Sequence, residues 1–128
     1  MFTTRSKVEL RERTLANPGR LAAAGVEVAL TTDHPVVPIN FLVHQATLAV
    51  KEGMSREDAL RSITVNPARM MGLANRLGSL KPGLDGDVVL WDGDPLDVMS
   101  RAVQVFVSGV PVYEWRDGAG VTTTPYRT

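Results

Sequence analysis

The spacing of apolar positions changes several times along the chain, and each change marks an element. In SKVELRERTLANPGRLAAAG, Val8, Leu10 and Leu15 supply an apolar helical face. Asn17-Pro18-Gly19 interrupts it, and a second short helical stretch stops at Gly25. VEVALTT follows, with Val26, Val28 and Leu30 on one face, Ala29 on the other and no charge after Glu27. This is the pattern of a short strand covered on both faces. Over residues 40–53 the period becomes three and four through Leu42, Gln45, Ala46, Ala49 and Val50, with Gly53 as the stop. Ser55-Arg56-Glu57-Asp58 predicts a capped helix start ahead of Ala59, Leu60 and Ile63. Asn66-Pro67 predicts another, with Asn66 as N-cap, Pro67 at the first helical position and Gly72 as the end.

Beyond Gly78 the pattern turns to β. Lys81-Pro82-Gly83-Leu84 fits a type II turn, with proline second and glycine third. DVVLW, AVQVFVSG and VPVYEW read as three strands, separated by DGDP and by a Ser-Gly turn. The closing RDGAGVTTTPYRT is polar and turn-rich, and is expected to be loosely held. The order is therefore helix, strand, three helices and a small antiparallel β unit, with no internal repeat.

Composition narrows the class. A chain of 128 residues is long enough for a core of its own, and 44% hydrophobic with 22% charged residues is ordinary for a globular protein. Basic and acidic residues balance at 14 each, so neither a nucleic-acid partner nor an anionic membrane is expected. The absence of cysteine removes disulfides, thiolate metal sites and cysteine nucleophiles together. MFTTRSKVELRER has no apolar stretch of the kind a secretory signal carries, and no apolar run has bilayer-spanning length. A cytoplasmic protein is the expectation.

Candidate chemistry centres on Asp33 and His34, where the apolar run ends. In parallel α/β folds, ligands gather at the C-terminal ends of strands, and a carboxylate there can bind a metal or carry a proton. The same Asp33 also reads as an ordinary turn residue or helix cap. His34, held extended by Pro35, is a candidate substrate contact or a plain surface imidazole. His44 stands alone on its helix, which favours packing over ligation, since a metal site needs converging ligands. The triplets at residues 85–87 and 92–94, both Asp-Gly-Asp, lack the loop length and closing glutamate of a calcium site and read as turns. The chain carries neither a phosphate-binding glycine loop nor a Gly-x-Ser-x-Gly elbow.

Four stretches taken together resemble the C-terminal part of the amidohydrolase superfamily, above all the imidazolonepropionase-like metal-dependent hydrolases. They are GVEVALTTDHP, SREDALRSITVNPARMMGL, GSLKPGLDGDVVLWDGDP and VQVFVSGVPVYEW, in that order and over roughly residues 2–115. Leu84, where lysine is usual, and Gly86, where alanine is usual, are mild departures. The resemblance implies an α/β fold class: the last strand and helices of a (β/α)8 barrel over residues 1–77, then half of a composite β-sandwich over residues 78–115. A loosely ordered tail, residues 116–128, closes the chain. Residues 26–32 would be the eighth barrel strand. Asp33 would be the metal ligand that takes a proton from the attacking water and delivers it to the leaving nitrogen.

The same resemblance implies what this chain does not carry. The family's His-x-His, bridging carboxylate or carboxylated lysine, and later histidines belong to segments absent here. A catalytic zinc generally takes three protein ligands, and a full barrel about 250 residues. Zinc or another divalent metal is thus expected in the complete enzyme and none on this chain alone, which is expected to be inactive in isolation. Its expected partners are a missing N-terminal barrel half or a second copy of itself, with a small amide as the complete enzyme's substrate. The alternative is a non-catalytic residual domain that acts as an oligomeric or interaction module.

Overall fold

The computed structural model of the chain describes residues 14–123. The N-terminal helix expected before Thr14, with Val8 and Leu10, lies outside the described residues. Asn17-Pro18 opens rather than interrupts a helix: α1 spans Asn17–Ala23, with proline in its first turn, where no amide hydrogen is needed. Gly25, at φ 81°, ends it in a Schellman arrangement. The Gly25 amide donates to Ala22 O at 2.9 Å and the Val26 amide to Leu21 O at 3.0 Å.

Three further helices follow. A 3-10 turn at Ile39–Phe41 leads into α2, Leu42–Lys51. Next come α3, Arg56–Ser62, and α4, Val65–Met70. Ser55 caps α3 as its sequence predicts: its hydroxyl oxygen accepts the Asp58 amide at 3.0 Å. Small residues let the axes of α2 and α3 approach closely. Ala46 and Ala59 are wholly buried, and with Ala49, Met54 and Leu96 they form the core cluster. Val28, Leu30 and Ile63 pack against it.

The β unit is a four-stranded antiparallel meander in the order β1 (Val88–Trp91), β2 (Ala102–Val107), β3 (Val110–Arg116) and β4 (Ala119–Thr122). Ser108 and Gly109, at φ 51° and 78°, make the two-residue turn between β2 and β3. The expectation of a loosely held tail after Trp115 is corrected over residues 116–122. Asp117-Gly118, at φ 51° and 81°, forms a second turn of the same kind, and β4 pairs with β3 from Arg116↔Ala119 to Tyr113↔Thr122. The alternation that marks other strands is missing from Ala-Gly-Val-Thr, but the hairpin turn and the waiting edge of β3 suffice to pair it. A Cβ on Gly120 would fall 2.7 Å from the Tyr113 ring, so a larger residue there would have to displace that ring.

No residue of the sheet is fully buried. Its tie to the helices is the loop of residues 92–101. There Leu96, 5% exposed, enters the helical core, and the Thr47 hydroxyl donates to Leu96 O at 3.2 Å. Asp94 accepts the Leu96 amide at 2.9 Å and pairs with Arg56 of α3. Arg101 closes the loop: its Nε lies 3.1 Å from Asp92 and its guanidinium 4.9 Å from the centre of the Trp115 ring. No helix among the described residues is long and apolar enough to cross a membrane.

The Asp94 carboxyl is held below the usual aspartate range, first by the Leu96 amide and then by Arg56. A depressed folded-state pKa stabilises the fold above the unfolded value, about 3.9, and that stabilisation is lost as pH falls through the folded one. Asp94→Asn keeps an acceptor for the Leu96 amide and removes the ion pair. The variant is expected to unfold slightly earlier in urea than the parent at neutral pH. The two curves should converge in acid, and added salt should narrow the gap at neutral pH.

The expected strand at residues 26–32 enters no ladder among the described residues. A strand exists through a neighbour, and the sequence pattern of residues 26–32 survives without one: Val28, Leu30 and Thr32 turn inward while Glu27, Ala29 and Thr31 stay exposed.

Candidate functional site at the end of residues 26–32

The inward residues of this segment fix where it ends. Thr32 is buried, Val37 is buried four residues after Asp33, and the chain between them bulges outward. Asp33 sits at φ 55°, a left-handed conformation that aspartate tolerates better than most residues. Its amide donates to Thr31 Oγ1 at 3.3 Å, and its carbonyl accepts the Val36 amide at 2.8 Å. The turn is thus built from main-chain groups and a threonine, which leaves the Asp33 carboxylate exposed and free of any hydrogen bond or ion pair among the described residues. The reading of Asp33 as a helix cap does not hold: the helical turn begins at Ile39, with Pro38 before it.

His34 is exposed beside Asp33. His44 is exposed on α2, with its ring centre 5.3 Å from that of Phe41. Among the described residues no three histidine, cysteine, aspartate or glutamate side chains converge as a metal set. The described residues therefore do not by themselves fit a metal, and what they offer is a single presented carboxylate. The two Asp-Gly-Asp triplets serve turns. Asp87 accepts the Ser108 amide at 2.8 Å, Asp92 accepts the Arg101 amide at 2.8 Å, and Asp85 pairs with Arg76 at 2.7 Å.

A second feature lies at the opposite end of the same segment and was not signalled by any motif. A cleft of about 340 Å³ opens between Val26–Val28, α3 and α4, lined by Glu27, Asp58, Arg61, Asn66 and Arg69. Arg69 bridges to Glu27 at 3.0 Å. Asn66, expected as an N-cap, instead lies inside α4, whose N-cap is Thr64. Its Nδ2 donates to Val28 O at 2.8 Å, and the side chain is 7% exposed. The carbonyl of an unpaired segment needs a donor, and the asparagine amide supplies it. Asn66→Ala is expected to lower stability by about 1–2 kcal/mol, read from the urea midpoint. It should also release the Leu30 amide, which donates to Ser62 O at 3.0 Å, to faster hydrogen exchange.

Comparisons with known proteins bear on the family of the chain. The model of an amidohydrolase family matches residues 2–113. Adenine deaminase 2 of Jannaschia sp. is 34% identical over 90% of this chain and 21% of its own length. The imidazolonepropionase of Shouchella clausii is 30% identical over 80% of this chain and 26% of its own. Among solved structures, an amidohydrolase from Thermotoga maritima MSB8 superposes with a TM-score of 0.84 at 42% identity, covering 88% of this chain and 30% of that one. The match thus spans between 9% and 26% of the length of such curated relatives.

Proposed function

Since the chain belongs to the amidohydrolase family, we propose that it is the C-terminal part of a hydrolase acting on carbon–nitrogen bonds of small amides or cyclic amides. The observation that supports this most directly is the exposed Asp33 carboxylate, presented by a main-chain turn within a stretch matched by the family. Relatives named imidazolonepropionase and adenine deaminase differ in substrate, so the reading extends to the class of bond and no further.

In this reading residues 26–32 are the last strand of a barrel, residues 1–77 its final part, and the sheet from β1 to β3 half of a composite sandwich. Asp33 is the carboxylate this chain contributes to a divalent metal centre, whose other ligands lie in the part of the relatives that the chain does not span. A bound metal of this kind supplies Lewis-acid polarisation of the substrate carbonyl and of water. The task of Asp33 is to accept a proton from the attacking water and return it to the leaving nitrogen. His34 is placed next to it as a substrate contact. The partner required is the remaining barrel, on the same polypeptide or supplied by another, and the isolated chain is inactive.

The test is a chimaera in which this chain replaces the matching C-terminal part of the Thermotoga maritima amidohydrolase. Zinc content and hydrolysis of a panel of hydantoins, imidazolones, dipeptides and adenine would be measured. Metal-dependent turnover in the chimaera, with none from the isolated chain, supports the proposal. A folded, metal-loaded chimaera inactive on every substrate that the parent hydrolyses refutes it.

A further inference from the structure

Among the described residues, Thr31 supplies the only side-chain hydrogen bond to the turn at Asp33. Between buried Thr32 and buried Val37 the turn is held in two places. The Asp33 amide donates to Thr31 Oγ1 at 3.3 Å, and the Val36 amide donates to Asp33 O at 2.8 Å. Pro35 has no amide with which to add a third hydrogen bond. Asp33 needs this support, because at its φ of 55° the Cβ of an L-residue crowds the main-chain carbonyl oxygen. Relaxation to an extended backbone would swing the carboxylate away from the direction in which the turn presents it.

Thr31 is itself fixed on both sides. The Leu30 amide before it donates to Ser62 O at 3.0 Å, and Thr32 after it is buried. A β-branched side chain on such a backbone has few rotamers, so its hydroxyl oxygen occupies a defined place. Every one of these contacts is made within the chain, whatever strands lie beside residues 26–32.

We propose that Thr31 is the positioning residue of Asp33. Its hydroxyl oxygen relays the fixed position of residues 30–32 to the turn and so sets the direction of the carboxylate. The proposal rests on the reading of Asp33 as the proton-transfer group of a hydrolase. Such a group works from a narrow range of positions, and a misplacement of about 1 Å can cost about 100-fold in rate. Valine at this position keeps the branched shape and removes the acceptor, whereas serine keeps the acceptor and removes the methyl group.

The experiment has two arms. In the isolated chain, amide hydrogen exchange is compared among the parent, Thr31→Val and Thr31→Ser. Thr31→Val is expected to speed exchange of both the Asp33 and the Val36 amides by about threefold or more, with α2 unchanged and Thr31→Ser close to the parent. In the chimaera, Thr31→Val should lower kcat by roughly 10–100-fold with KM within about twofold, and Thr31→Ser should restore kcat to within about threefold of the parent. A Val36 amide that keeps its protection in Thr31→Val shows a turn that stands without the hydroxyl, and overturns the proposal. So does an active chimaera whose kcat is indifferent to Thr31→Val. An inactive parent chimaera counts against the hydrolase reading alone, and the exchange of the two amides then decides whether Thr31 sets the turn.

Discussion

Asp33→Asn in the chimaeric hydrolase is expected to lower turnover by about 10²–10⁴-fold, the range lost when a positioned proton-transfer group is removed. The substitution is chosen because it isolates the carboxylate. The turn at Asp33 is held by its own amide and carbonyl, by Thr31 and by Val36, none of which the change touches. Asparagine also accepts the φ of 55° that most residues resist. Folding should therefore be preserved, and urea midpoints of the two proteins should agree within about 0.5 kcal/mol, as for other exposed positions. The fall should appear in kcat, because the proton transfer belongs to the chemical step. Turnover within threefold of the parent would remove Asp33 from the mechanism, whatever its place in the family pattern.

Leu96→Ala is expected to cost about 2–5 kcal/mol, the range for truncating a buried leucine. Leu96 is the one residue of the 92–101 loop in the core cluster, where it packs with Ala46, Ala49, Met54 and Ala59. Its alanine neighbours have little side chain with which to refill the space. The sheet has no fully buried residue, and this side chain carries the loop between β1 and β2 into the helical core. The midpoint in urea should fall, and hydrogen exchange of β1 and β2 should accelerate together with that of α2. If the sheet amides kept their protection while α2 lost its own, the sheet would be stable without the helices and Leu96 would serve the helical layer alone.

Leu96 also shows where pattern reading stops. In the sequence it sits in DGDPLDVMS, a run of turn residues with apolar Leu96, Val98 and Met99 scattered among them. Nothing local distinguishes the three, yet Leu96 is buried and Met99 is 80% exposed. Asp94 makes the difference by folding the loop back: it accepts the Leu96 amide and pairs with Arg56 of a distant helix. The same limit applies to Asn66. Asn-Pro before a helical run is a sound capping signal, but the helix begins earlier and the amide is drawn to Val28 O, 38 residues away in sequence. The reverse happens at Asp117-Gly118, where the turn signal was legible and the strand beyond it was not.

The sequence by itself determined what depends on neighbours a few residues away. The α3 cap at Ser55, the stop at Gly25, the turns at Gly83 and at Ser108-Gly109, and the helical period through Ala46 and Ala49 are all of this kind. Such features follow from local sterics and short-range hydrogen bonds. It also carried the family, because four motifs in order are a property of the chain, and it marked Asp33 as the residue to watch. The tertiary structure alone decided which loop leucine enters the core and what Asn66 does. It also decided that no three potential metal ligands converge among the described residues. Each of these turns on a partner distant in sequence, and hydrogen-bond donors and core space are allotted only once the chain has folded.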